Sequence, residues 1–162
     1  KKGYTEHDQL MEKTGKDAHQ IKYEFIRLID KDTDAFNRIM AAMKMKKKTD
    51  EQKAARQVAI EEANIYAAEV PLETLKLTLR AMELTEAVLM KGNQNSLSDS
   101  AVAMINAQAG ALAAYYNVLI NLQGIEENPK CQALIEEARS TFQKVEQHYA
   151  NFRKHVDGVL KA

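Results

Sequence analysis

The chain has 162 residues with 23 basic and 23 acidic side chains, so its formal net charge is zero. That length predicts a single domain spanning 1–162 with a core of its own, and the charge balance argues against a nucleic-acid binder that depends on a basic surface. Only six glycines and two prolines occur beside abundant Ala, Glu, Lys, Leu and Met, which favours helix, and the lone Cys131 excludes an internal disulfide and suits a reducing, cytoplasmic compartment.

Thr5 with Asp8 three residues on predicts a helix start. From there the pattern runs without a breaker to about Met45, with Ile21, Phe25, Leu28, Ala35, Ile39 and Met43 forming an apolar stripe. Lys44 and Lys46, Lys47 and Lys48 close it, a basic helix end that suits the dipole and solvent, with an anionic ligand tail as the sharper alternative. Thr49 can cap a second helix from Asp50 that carries Ala55, Ala59, Ala63 and Tyr66 on one face. Pro71 lacks a backbone donor, so an end or kink is expected at Glu69-Val70. A third helix follows over about 72–91, with Leu72, Leu75, Leu79, Met82 and Leu89, then the polar turn Gly92-Asn93-Gln94-Asn95-Ser96.

Residues 100–125 hold no Asp, Glu, Lys or Arg in a chain that is 28% charged. Ser98 can cap a helix there, with Asp99 against its positive end and Gly124 to stop it. A helix without a charged face is expected to be buried all round. Asn106, Gln108, Asn117, Asn121 and Gln123 are too many amides for a membrane span. Asn128-Pro129 then opens a last helix running to about Leu160. Its apolar residues, among them Cys131, Ala138, Val145, Phe152 and Val159, recur every seven positions, the mark of a long contact with a partner helix. No strand pattern occurs. The expected fold is all-α, a five-helix bundle around a central uncharged helix.

Three alternating acids form the sharpest local signal, Ile29-Asp30-Lys31-Asp32-Thr33-Asp34-Ala35-Phe36. At about 100° per residue, Asp30 and Asp34 share a face and Asp32 points away from them, into the apolar stripe between Leu28 and Ala35. A carboxyl there is costly to bury unless it is paired or protonated. It is either a structural acid bonded to a helix end or an Arg, or a proton-transfer group. Asn106, Gly110, Ala113, Asn117 and Asn121 fall on one face of the uncharged helix and can bridge helices or recognise a polar ligand. None of the four histidines has a Glu three residues before it, and no phosphate loop, nucleophile elbow or Cys-pair motif occurs, so no metal site is expected.

Four collinear stretches complete the reading: Ile-Asp-Lys-Asp-Thr-Asp-Ala-Phe at 29–36, Ala-Glu-Val-Pro-Leu at 68–72, Gly-Asn-Gln-Asn-Ser-Leu-Ser-Asp at 92–99 and Asn-Val-Leu-Ile-Asn-Leu at 117–122. Together they resemble the cyclodeaminase family, meaning the cyclodeaminase part of formiminotransferase-cyclodeaminase and the related methenyltetrahydrofolate cyclohydrolases. The resemblance implies an all-helical, typically dimeric enzyme of one-carbon tetrahydrofolate chemistry with no permanently bound cofactor. The family's catalytic Asp is the second acid of its Asp-x-Asp-x-x-Ala-Phe pattern, which falls on Asp32. The resemblance also points to Asn93, Asp99, Asn117 and Asn121 as substrate-binding residues. It leaves cyclodeaminase and cyclohydrolase both open, with the former preferred. A non-catalytic helical bundle that pairs with itself or a partner protein is the reading of another class.

The chain departs from the family pattern twice. It opens at Lys1-Lys2-Gly3-Tyr4, without the Pro-Gly-Gly-Gly-Ser segment and the first helix of family chains, and it has Met45-Lys46-Lys47 where they have Leu-Pro-Lys. Homodimerisation through the last-helix seam and the uncharged helix is expected. So is a preference of the lysine run for folates with polyglutamate tails.

Overall fold

The computed structural model describes residues 7–161. The Thr5 cap and the opening Lys1-Lys2-Gly3-Tyr4 stretch lie outside them. Four α-helices account for nearly all of the described chain: α1 (Asp8–Met43), α2 (Asp50–Lys91), α3 (Leu97–Leu122) and α4 (Pro129–Leu160), with a 3₁₀ turn at Gln94–Ser96 before α3. No strand occurs among the described residues. Short connections at 44–49, 92–96 and 123–128 make successive helices antiparallel neighbours.

The all-α class holds, but the helix count is four rather than five. Pro71 lies buried inside α2, which continues from Asp50 to Lys91. A proline interrupts a helix by stripping the donor from the carbonyl four residues before it. Here that carbonyl, on Ala67, accepts a hydrogen bond from the Asn121 Nδ2 of α3 at 2.9 Å. A neighbouring helix thus satisfies the group that would otherwise have forced an end.

The centre of the molecule also differs from expectation. α2 packs against α1, α3 and α4, whereas α3 packs against α2, α4 and the 3₁₀ turn. α2 can do this because it carries two apolar seams. Ala68, Leu75, Met82 and Leu89, seven apart, face the main core with Met104, Ala111, Val118 and Leu122 of α3 and Cys131, Ala138, Val145 and Phe152 of α4. Ala67, Val70 and Leu77 face Leu28 and Ala35 of α1 in a second cluster. Burying a side chain such as Leu75 or Met82 stabilises by about 1.5–3 kcal/mol. α3, which carries no charged residue after Asp99, is not buried all round: Val102, Ile105, Tyr116 and Ile120 are exposed. Lack of charge reports an apolar surface, and covering that surface requires neighbours that this chain supplies on only part of the helix.

The seven-residue seam of α4 is as expected up to Phe152 and is used within the chain, whereas Val159 at its end is exposed. Cys131, Ala138, Val145 and Phe152 are all buried against α2 and α3. Asn128 caps α4 by accepting from the Lys130 N–H at 2.8 Å, and Pro129 takes the first turn. At the other end of α3, Gly124 adopts φ 85°, a conformation that glycine reaches freely, and the chain reverses there.

Candidate active site

α1 and α3 lie on either side of α2 with a groove of about 1010 Å³ between them. That is at the upper end of the roughly 300–1,000 Å³ of small-molecule sites. The seven-residue repeat of α1 builds one wall. Thr14, Ile21, Leu28, Ala35 and Ala42 are its buried positions. Phe25, Asp32 and Ile39, each four residues after a buried position, turn from α2 into the groove, and Ile29 and Phe36 form its lip. Ala67, Val70, Pro71 and Thr74 of α2 make the floor, and Gly110, Ala113, Asn117 and Asn121 of α3 the opposite wall.

This register explains Asp32. It flanks the α1 seam rather than occupying it, so the carboxyl is exposed and not held in a dry pocket as its place in the stripe had implied. No hydrogen bond or ion pair engages it among the described residues, so the structural-acid alternative has no partner here. Asp30 and Asp34 are exposed and do not line the groove. Asp34 pairs with Arg38 at 2.8 Å, and the Arg38 guanidinium lies 3.8 Å from the centre of the Tyr66 ring. Of the three acids, Asp32 is the one with a free carboxylate on an apolar-walled groove.

The polar face of α3 divides. Asn117 lines the groove opposite α1 with an exposed side chain. Asn121 lines it too, but its Nδ2 is committed to the Ala67 carbonyl. Asn106 donates back to the Val102 carbonyl of its own helix at 2.9 Å and takes no part. Asp99 lies in a second cavity of about 320 Å³ that continues the groove past Ala18 and Ile21, beside Thr85, Ser96 and Ser100. Asp99 is not among the residues that line the groove with Asp32; the two cavities meet at Ala18 and Ile21 of α1. Asn93 lines neither cavity; its Oδ1 accepts from the Asn95 N–H at 3.1 Å and shapes the turn before α3.

Two hydroxyls that the sequence reading passed over also line the groove. Thr33 donates to the Ile29 carbonyl and Thr74 to the Val70 carbonyl, each at 3.1 Å, which leaves the oxygen lone pairs as acceptors toward the cavity. Thr74 sits three residues after Pro71 on the same face, and that spacing was the available signal.

The family model described as formiminotransferase-cyclodeaminase matches residues 1–140. The chain belongs to this family. It is 33% identical over 137 residues to the methenyltetrahydrofolate cyclohydrolase of Methylorubrum extorquens, covering 85% of this chain and 66% of that protein. It is 30% identical over 149 residues to the formimidoyltransferase-cyclodeaminase of Gallus gallus, covering 86% of this chain and 27% of that one. The chain thus spans just under two thirds of the first relative's length and about a quarter of the second's. A crystal structure of formiminotetrahydrofolate cyclodeaminase from Thermotoga maritima superposes with a TM-score of 0.85 at 25% identity, over 99% of this chain and 76% of that one. Within this family, the groove that joins Asp32, Asn117 and Asn121 is the candidate active site.

Proposed function

We propose that the groove takes a one-carbon derivative of tetrahydrofolate, and that the chain acts as a formimidoyltetrahydrofolate cyclodeaminase, converting 5-formiminotetrahydrofolate to 5,10-methenyltetrahydrofolate and ammonia. The observation that carries this reading is the unpartnered Asp32 carboxylate on an apolar-walled groove, facing amides, in a chain of this family. In the reaction N10 attacks the formimino carbon, a new carbon–nitrogen bond closes the ring, and the bond to the leaving nitrogen breaks. With the formimino nitrogen already protonated in the bound substrate, one proton leaves N10 and one more is needed by the departing amine. Asp32 takes the first and returns it to the second. Asn117 is suited to hold the polar edge of the heterocycle, with Phe25, Ile29 and Phe36 against its flat face.

The relative at 33% identity, a cyclohydrolase by name, favours a second reading. There water adds to the methenyl carbon and Asp32 accepts the water's proton; one of the two ring carbon–nitrogen bonds at that carbon then breaks, the released nitrogen takes a proton, and a formyl group is left on the other. Absorbance assays of both reactions decide between them. Ammonia release from 5-formiminotetrahydrofolate is expected. Good hydrolysis of 5,10-methenyltetrahydrofolate with no turnover of the formimino substrate would reverse the assignment.

The exposed apolar side chains Val102, Ile105, Tyr116 and Ile120 on α3 support a homodimer that covers them. Lys44, Lys46, Lys47 and Lys48 are exposed at the end of α1 and in the turn to α2, which supports a preference for polyglutamate tails. Polyglutamylated ligands should bind more tightly than monoglutamates at low salt and lose that advantage at high salt. Equal affinities at low ionic strength would leave the run as a solvated helix end.

A further inference from the structure

Two prolines occur in the chain, and one of them, Pro71, lies in the floor of the groove inside a 42-residue helix. In an uninterrupted helix the Ala67 carbonyl would accept from the N–H of residue 71. Proline has no N–H, and its ring presses the carbonyl away from the helix axis. Ala67 and Pro71 are both buried, so solvent is a poor substitute. The Asn121 side chain of α3 supplies the missing donor at 2.9 Å, across 54 positions of sequence. Asn117 is four residues earlier on the same face of α3 and looks into the groove that Asp32 lines from the other side.

We infer that Asn121 is a positioning residue: its amide replaces the backbone donor that Pro71 removes from α2, and this bond sets the placement of α3 that holds Asn117 across the groove from Asp32. Beside large knobs such as Leu75, Met82, Met104 and Leu122, this helix pair also packs through the small Ala68, Ala111 and Ala114, which by themselves constrain register less. One directional bond between a side chain and a buried carbonyl fixes what smooth packing leaves loose. The proline is then useful rather than merely tolerated, because a carbonyl already satisfied within its own helix would offer Asn121 much less. This assigns Asn121 a role through Asn117 instead of direct contact of its Nδ2 with a ligand. The consequence for turnover rests on the folate reading above; the coupling between Asn121 and Pro71 does not.

A double-mutant cycle tests the inference, using Asn121→Ala, Pro71→Ala and the pair in the full chain. In the native background Asn121→Ala strands a buried carbonyl and should lower the folding equilibrium constant, read by urea unfolding, on the order of tenfold to a hundredfold. With Pro71→Ala, position 71 regains an N–H for Ala67, and the same removal of Asn121 should cost less than about threefold. Hydrogen exchange should show the new backbone amide at position 71 protected. Equal losses in the two backgrounds would overturn the inference. If Asn121→Ala alone fails to fold, a folded double variant supports the coupling and an unfolded one overturns it. For the positioning role, removing Asn121 should lower kcat by about tenfold with little change in KM. In the Pro71→Ala background the same removal should leave kcat nearly as it was. A rise in KM that persists there would make Asn121 a ligand contact and overturn the positioning role. The folding cycle needs no substrate, so an enzyme inactive on folates would defeat the functional reading and leave the coupling standing.

Discussion

At the scale of single residues, the site turns on which of three neighbouring carboxylates meets the groove. Asp32 lines it without a partner, Asp34 is tied to Arg38, and Asp30 faces solvent. Asp32→Asn keeps the shape and removes the group that carries a proton, so turnover should fall on the order of 100-fold or more, with thermal stability little changed. Asp30→Asn should be near neutral. Asp34→Asn should cost only the exposed pair with Arg38, roughly 1 kcal/mol or less. Similar mild losses from all three changes would return Asp32 to the status of a surface acid. The periodicity of the sequence singled out Asp32, yet it implied burial. A position four residues after Leu28 and three before Ala35 lies about 40° off the seam, and only the location of α2 decides whether that angle means core or groove.

At the scale of helices, the seven-residue spacing of α4 was legible and the continuity of α2 through Pro71 was not. A sequence shows that the proline removes a donor; it does not show an amide arriving from another helix. α4 offers a prediction of its own. Cys131 sits fully buried in its first turn, and burial pushes its thiol pKa up, with the carboxylates of Glu61 and Glu126 adding to the rise. A thiol with a raised folded-state value keeps its proton where the unfolded chain loses it, so its contribution to stability is complete below the unfolded value of about 8.5 and declines as pH rises above that. Urea unfolding of the native chain should therefore lose stability from about pH 8.5 upward faster than Cys131→Ala, by at most ~1.4 kcal/mol per pH unit. Parallel curves for the two proteins would show that Cys131 does not contribute.

At the scale of the whole molecule, α1 and α3 flank α2 without closing on each other, and the open side carries large apolar side chains. A second copy covering that side should give a dimeric mass by light scattering at micromolar concentration, and Tyr116→Glu or Ile120→Glu should shift it toward monomer by burying an unpaired charge. A strictly monomeric native chain would leave the exposed face of α3 without this explanation.

What the sequence determined by itself was the all-helical class, the apolar stripe of α1, the seven-residue seam of α4, the family, and Asp32 as the acid set apart from its neighbours. Composition, period and motif are local properties, and each of these follows from them. Tertiary structure alone decided that α2 rather than α3 is central, because apolar character says that a face needs cover but not which helix supplies it. It also decided that Asp99 lines a different cavity from Asp32, that Asn93 shapes a turn, and that Asn121 is spent on Ala67. Those outcomes depend on distances between residues far apart in the chain, and such distances exist only once the helices are packed.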